Sequence, residues 1–200
     1  MSDHLLRTFI SVTVPKEILS LQEMLKTTVD FKGKNLKWVK SGQIHLTLKF
    51  IGFTPPDAVD EMNGILSEVV KRHAWMELIV TGTGCFPVPK RPRVLWLGMA
   101  GGINKLNNFV SDINVSLEKL GFPIEEKEFI PHITIGRVSY PPKSTPDIST
   151  FLQAKYESIY LSITRVRFMC SELFPNGPIY SILGTHFLAT KGEKGVTNEK

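Results

Sequence analysis

The sequence predicts an α+β protein of two lobes, with helices outside and sheets facing one another, and three observations lead there. Strand-like alternation and helix-like spacing take turns along the chain. A polar His-x-Thr triplet with aliphatic neighbours occurs twice, in "QIHLTLKFIGF" at 43–53 and in "KEFIPHITIGRV" at 127–138. Each triplet has a long amphipathic pattern nearby in sequence, which hints at a loose duplication although no short tandem repeat is present. With 200 residues and 42% hydrophobic content, residues 1–190 suit a single two-lobed domain with one substantial core. The tail 191–200, "KGEKGVTNEK", is polar and expected to be flexible.

The elements follow in order. Residues 6–14, "LRTFISVTV", alternate as a strand, and Pro15 stands where a helix can begin. Ile18, Leu21, Leu25 and Val29 then recur at helical spacing. Residues 36–40 and 43–51 read as strands separated by Ser41-Gly42. Prolines and Asp57 open a second helix, with Val59, Met62, Leu66 and Val69 on one face. "MELIVTG" and "RVLWLGM" are strands, and Ile103, Leu106, Val110, Ile113, Leu117 and Leu120 mark a third helix that Gly121 ends. "HITIGRV" is the next strand; the loop "SYPPKSTPD" and a short helix near 147–154 lead to two last strands, "SIYLSITRVRFM" and "PIYSILGTHFLA".

Bulk chemistry narrows the function class. No apolar run is long enough to span a bilayer, and charges interrupt the first residues where a signal peptide needs an apolar stretch, so a cytoplasmic protein without membrane association is expected. Cys85 and Cys170 have no metal or redox spacing and suit buried thiols. The net charge of +5 permits an anionic partner without demanding one.

Side chains alternate across a strand, so His45, Thr47 and Lys49 share one face while Leu46, Leu48 and Phe50 share the other. His132 and Thr134 oppose Ile133 and Ile135 in the same way. The aliphatic residues anchor each strand, and the polar pair is left facing the wet side. His4, His73 and His186 lack this setting and are read as structural. Two histidines without matching carboxylates make a poor zinc site, which needs three or four protein ligands. They suit an acid and a base, because an imidazole pKa of about 6.5 makes both protonation states available near neutrality. Thr47 and Thr134 can donate hydroxyls to non-bridging phosphate oxygens, so the constellation fits phosphodiester cleavage without metal or cofactor.

The segments "RTFISVTVP", "HLTLKFIG", "RPRVLWLG", "FIPHITIGRV" and "FPNGPIYSIL" together resemble the successive landmarks of the RNA 2′,3′-cyclic phosphodiesterase family, the 2′-5′ RNA ligases of the two-histidine phosphoesterase superfamily. That resemblance implies pseudo-symmetric, antiparallel-rich sheets facing a central cleft, and hydrolysis of RNA terminal 2′,3′-cyclic phosphates to 2′-phosphates. It also implies His45 as proton donor to the leaving 3′ oxygen and His132 as the acceptor that activates water. Nothing in the local sequence distinguishes the two histidines. The expected partners are RNA ends or nucleotides carrying a cyclic phosphate, and the expected state is a monomer. A phosphodiesterase for 2′-5′ oligonucleotides or small nucleotide cyclic phosphates, and a weakly catalytic RNA-binding module, are the alternatives.

Arg137 stands where the resemblance puts an arginine near the phosphate, yet its parity is opposite to that of His132. It reaches the cleft only if the strand bulges near Gly136. Lys49 has cleft parity, but a solvated strand-end lysine is the plainer reading. Arg91, Arg93 and the lysines at 32, 34, 37 and 40 suit a basic rim for RNA. Trp38, Trp75, Trp96, Phe86 and Phe129 include no residue that the sequence marks as a base platform rather than core.

Overall fold

A computed structural model describes residues 5–29, 36–139, 145–175 and 177–190. The tail, His4, Lys32, Lys34 and the middle of the 139–147 loop lie outside the described residues. Among the described residues, nine strands and four α-helices run in the order β1 (Leu6–Thr13), α1 (Glu17–Lys26), β2 (Leu36–Trp38), β3 (His45–Thr54), α2 (Val59–Lys71), β4 (Met76–Val88), β5 (Arg91–Gly101), α3 (Ile103–Glu118), β6 (His132–Val138), α4 (Ser149–Leu152), β7 (Ile159–Ile163), β8 (Arg165–Phe174) and β9 (Gly177–Phe187).

The strands pair in the order β7-β4-β5-β6-β3-β1-β8-β9, with β2 added beside β6. Every named pair is antiparallel. β3 and β6 are the central neighbours, and they meet through the single residue pair Leu46–Ile133. That seam divides the sheet into two arms of like construction, one built from β3, β1, β8 and β9 and the other from β6, β5, β4 and β7. The two-lobed α+β architecture is therefore present as one curled sheet with two halves.

The helices cover the outer face. Their buried stripes hold most of the residues the spacing predicts, Ile18, Leu21 and Leu25 on α1, Met62, Leu66 and Val69 on α2, and Leu106, Val110, Ile113 and Leu117 on α3, and add Gln22, Val70, Phe109 and Ser116, while Val59, Ile103 and Leu120 are only partly buried. One continuous apolar core joins them to Ile10, Val12, Leu46, Leu95, Leu97, Ile133 and Phe168 from both arms. Gly121 takes φ +83°, and its N–H closes the end of α3 on Glu118 O. Among the described residues no helix is long and apolar enough to cross a membrane.

Three element expectations are corrected. "SIYLSITRVRFM" is two strands: β7 pairs with β4 on the outer edge of one arm, whereas β8 pairs with β1 in the other. The inward positions change parity at the break, from Leu161 and Ile163 to Val166 and Phe168, which a single strand cannot accommodate. The 36–40 strand stops at Trp38, and a 3₁₀ turn at Ser41–Gln43 turns the chain into β3. β4 and β5 extend well beyond the predicted segments to form a long hairpin, Met76–Val88 against Arg91–Gly101.

Candidate active site

The Leu46–Ile133 pair fixes the site. Both side chains are fully buried on the helix side, so their neighbours His45 and Thr47 on β3, and His132 and Thr134 on β6, project from the opposite, concave face. Each histidine precedes the seam residue of its own strand by one position and each threonine follows by one. Because the strands are antiparallel, the four side chains are related by an approximate two-fold through the seam.

The two rings are held alike. His45 Nδ1 lies 2.8 Å from the carbonyl oxygen of Gln43, and His132 Nδ1 lies 2.7 Å from that of Ile130, in each case the residue two positions earlier. A carbonyl only accepts, so Nδ1 carries the proton and, in the neutral ring, Nε2 carries the lone pair on both histidines. Aromatic neighbours fix the ring planes. His45 stacks on Phe9 at 5.0 Å between centroids and meets Tyr180 edge-on at 5.5 Å. His132 meets Phe86 edge-on at 5.0 Å and Trp96 at 6.2 Å. A Cβ at Gly84 would stand 2.2 Å from the Trp96 ring, so glycine there is what lets the indole lie across β4.

Burial draws both imidazoles below the ordinary histidine pKa, the backbone carbonyls oppose that shift, and the positive charge of Arg137 adds to it. One guanidinium thus acts on both rings. Arg137 gets there through a bulge. Leu95 pairs with Gly136 and Trp96 with Thr134, so Ile135 is the extra residue and Arg137 emerges exposed on the Thr134 face. A Cβ on Gly136 would crowd the Trp38 ring at 3.3 Å, which explains the glycine where β2 crosses close by.

A matching bulge on β3 corrects two expectations. Ile10 pairs with Lys49 and Ser11 with Thr47, leaving Leu48 extra. Parity reverses after it. Lys49 is neither solvated nor in the cleft; it is 3% exposed and its Nζ donates to Asn114 Oδ1 at 2.6 Å and Pro123 O at 2.9 Å. Phe50, expected in the core, is 57% exposed and takes the position on β3 that Arg137 takes on β6.

The other histidines are occupied elsewhere. His73 Nε2 donates to Asp112 at 2.8 Å, and His186 bonds Ser67 and Asn63 through its two ring nitrogens. Cys170 is buried, and burial pushes the half-buried Cys85 thiol up. Arg91, Arg93, Lys37 and Lys40 are exposed. Trp75 and Phe129 pack against the core, while Phe86 and Trp96 serve the His132 ring. Phe9 and Tyr180, which hold His45, are absent from the sequence-based expectations; each lies far from the motif in sequence, and only the β1–β3 and β8–β9 pairings bring them to it.

The family described as LigT-like phosphoesterases matches this chain twice, over residues 10–96 and 97–180, one match to each His-x-Thr strand. The chain belongs to the LigT-like phosphoesterase family. An RNA 2′,3′-cyclic phosphodiesterase of Aquifex aeolicus is 32% identical over 188 residues, covering 91% of this chain and 97% of the relative. One of Thermotoga maritima is 32% identical over 178 residues, covering 89% and 93%. The crystal structure of a Thermus thermophilus protein superposes with a TM-score of 0.77 at 25% identity, covering 92% of this chain and 99% of that one. Escherichia coli LigT complexed with 3′-AMP shares the fold, with a TM-score of 0.74 at 19% identity over 94% and 100% of the chains. LigT-like phosphoesterases are hydrolases, and the double match agrees with the two-fold arrangement about the seam.

Proposed function

We propose that this phosphoesterase opens RNA terminal 2′,3′-cyclic phosphates to 2′-phosphates, with His45 and His132 as its acid–base pair. One observation supports this above the others: two imidazoles, each with Nδ1 tied to the carbonyl two residues back, present Nε2 on the same concave face beside a shared guanidinium. Water approaching phosphorus opposite O3′ gives its proton to His132 Nε2. The P–O3′ bond breaks, and the imidazolium of His45 delivers its Nε2 proton to the departing O3′, leaving the phosphate on O2′. Thr47 and Thr134 donate hydroxyls to the non-bridging oxygens, and Arg137 offsets the charge that builds there. The Nδ1–H to carbonyl bonds fix the tautomer and also support the imidazolium form. Run in reverse, the same groups would join a 2′-phosphate end to a hydroxyl.

Incubation with a short RNA bearing a cyclic terminus tests the reading. The expected product keeps its phosphate on O2′, turnover persists in excess chelator, and His45→Ala or His132→Ala lowers the rate by about 10²- to 10⁴-fold with the fold retained. Turnover that survives the double alanine variant, or that stops in chelator, overturns the mechanism.

A further inference from the structure

Beside His45, on the side of β1 and β8, a cavity of about 300 Å³ opens off the concave face. Its polar lining includes Ser11, Thr13, Lys16, His45, Arg167 and Tyr180, and among the described residues no aspartate or glutamate lines it. Arg167 pairs across the sheet with Ser11 on β1 and Thr185 on β9, so it stands in the middle of the arm. Its Nε is buried and has no hydrogen-bond partner among the described residues. A guanidinium stays charged at any working pH, and a buried N–H donor without an acceptor is unfavourable. An anion in the cavity would meet both the positive charge and the unpartnered donor.

The catalytic pair does not use this arginine. Arg137 is the cation acting on His45 and His132, and Arg167 lies further along the arm. The cavity and the acid–base centre nevertheless share the His45 ring, so one ligand can occupy both. If the cyclic phosphate sits at His45, as the reading above has it, the ribose carries its O2′ and O3′ edge at that ring and its O5′ at the other end. Phe9, Met169 and Ile182 give the cavity an apolar wall, and the arginine fork, the lysine and the hydroxyls of Ser11, Thr13 and Tyr180 are the groups in it that suit a phosphate ester.

We infer that Arg167 forms a second anion subsite, which takes the phosphate on O5′ of the terminal nucleotide. In an RNA chain that phosphate is the linkage to the preceding nucleotide, so the subsite favours polynucleotide ends over free cyclic mononucleotides. This inference rests on the proposed reaction for its orientation of the ribose and on the cavity for its existence.

The test compares ligands that differ only at O5′. Calorimetry measures binding of adenosine 2′-phosphate and adenosine 2′,5′-bisphosphate, and steady-state assays use adenosine 2′,3′-cyclic phosphate with and without a 5′-phosphate. The ratio between the two ligands, taken within each protein, is the readout, so a general loss of folding in a variant cancels. In the unaltered protein the 5′-phosphate is expected to tighten binding and lower KM by about 10- to 100-fold. Arg167→Met should bring the ratio near one, and Arg167→Lys should restore part of it, because the charge returns without the fork. A ratio near one in the unaltered protein, a ratio that survives Arg167→Met, or no measurable binding of either ligand overturns the subsite. Tighter binding through Arg167 without turnover of either cyclic phosphate keeps the subsite and sinks the proposed reaction. Turnover of both with no ratio does the opposite.

Discussion

His45 and His132 are weaker bases in the free protein than histidines in water, because burial and Arg137 both disfavour the imidazolium. The proposed reaction needs one ring protonated and the other not, a state most populated between the two pKa values. The kcat/KM profile should therefore be bell-shaped, with its maximum on the acid side of about pH 6.5. A bound phosphate anion favours both imidazolium forms, so the kcat profile should lie at higher pH. Arg137→Met removes the repelling charge, which raises both pKa values: its kcat/KM maximum should move to higher pH while the value at the maximum falls by about 10²- to 10³-fold. Parallel pH–rate profiles of the two proteins check this, and an unmoved maximum would place Arg137 outside the field of the rings. At this scale the sequence is informative wherever alternation holds. His45, Thr47, His132 and Thr134 lie on the predicted face because each comes before its bulge, whereas Lys49 and Phe50 come after one and are inverted. Arg137 reaches that face only because such a bulge intervenes, and Gly136, crowded by Trp38, marks the place.

Elements legible in the sequence are those with a sustained period. All three long helices are apparent from apolar spacing alone, and most of their buried residues are predicted ones, whereas Gln22, Val70, Phe109 and Ser116 are buried without being marked by the spacing. Period says nothing of which helices touch. The Arg72–Asp112 and His73–Asp112 contacts tie the end of α2 to the middle of α3 across 40 and 39 residues of sequence. Arg72, then His73, hold the Asp112 carboxyl at a pKa of about 2, well below the 3.9 or so of an unfolded aspartate. A carboxylate depressed on folding contributes stability that is complete above the unfolded value and disappears as pH falls through the folded one. Arg72 is half exposed, so solvent screens the pair and its contribution is about 1 kcal/mol. Asp112→Asn should accordingly lose about that much at pH 7 in denaturant unfolding, and the gap between the two proteins should close between about pH 4 and pH 2. A gap that persists at pH 2 would mean that the loss comes from packing rather than charge.

At the scale of the molecule the sequence shows two similar halves but not how they are joined. β8 and β9 return to the arm begun by β1 and β3, and the only local trace is the change of parity at Thr164, since long-range strand pairing leaves no periodic signal of its own. The joint between the arms is correspondingly slight. β3 and β6 share one residue pair, so the relative placement of the two His-x-Thr motifs depends on what braces β6 from behind. Gln22 on α1 is that brace. It is 3% exposed, and its Nε2 donates to Val39 O at 2.9 Å and to Ile135 O at 2.8 Å, the latter being the carbonyl of the bulge residue between Thr134 and Arg137. Val39 N–H donates to the same Ile135 oxygen at 3.0 Å, so the bulge carbonyl keeps one partner if Gln22 is lost while Val39 O loses the side-chain donor. Gln22→Leu preserves size and helix propensity but takes the side-chain donor from the part-buried Val39 oxygen and one of two donors from Ile135 O, which costs about 1 kcal/mol and lowers the melting midpoint by a few degrees. Thr134 and Arg137 flank the bulge, and in the proposed mechanism both act on the transition state, so the variant should lose kcat by about tenfold or more with a smaller change in KM. Thermal unfolding and steady-state kinetics on the same preparation decide it: a variant with lowered stability but normal kcat would show that the bulge holds its shape without α1, and that the seam alone sets the distance between the two rings.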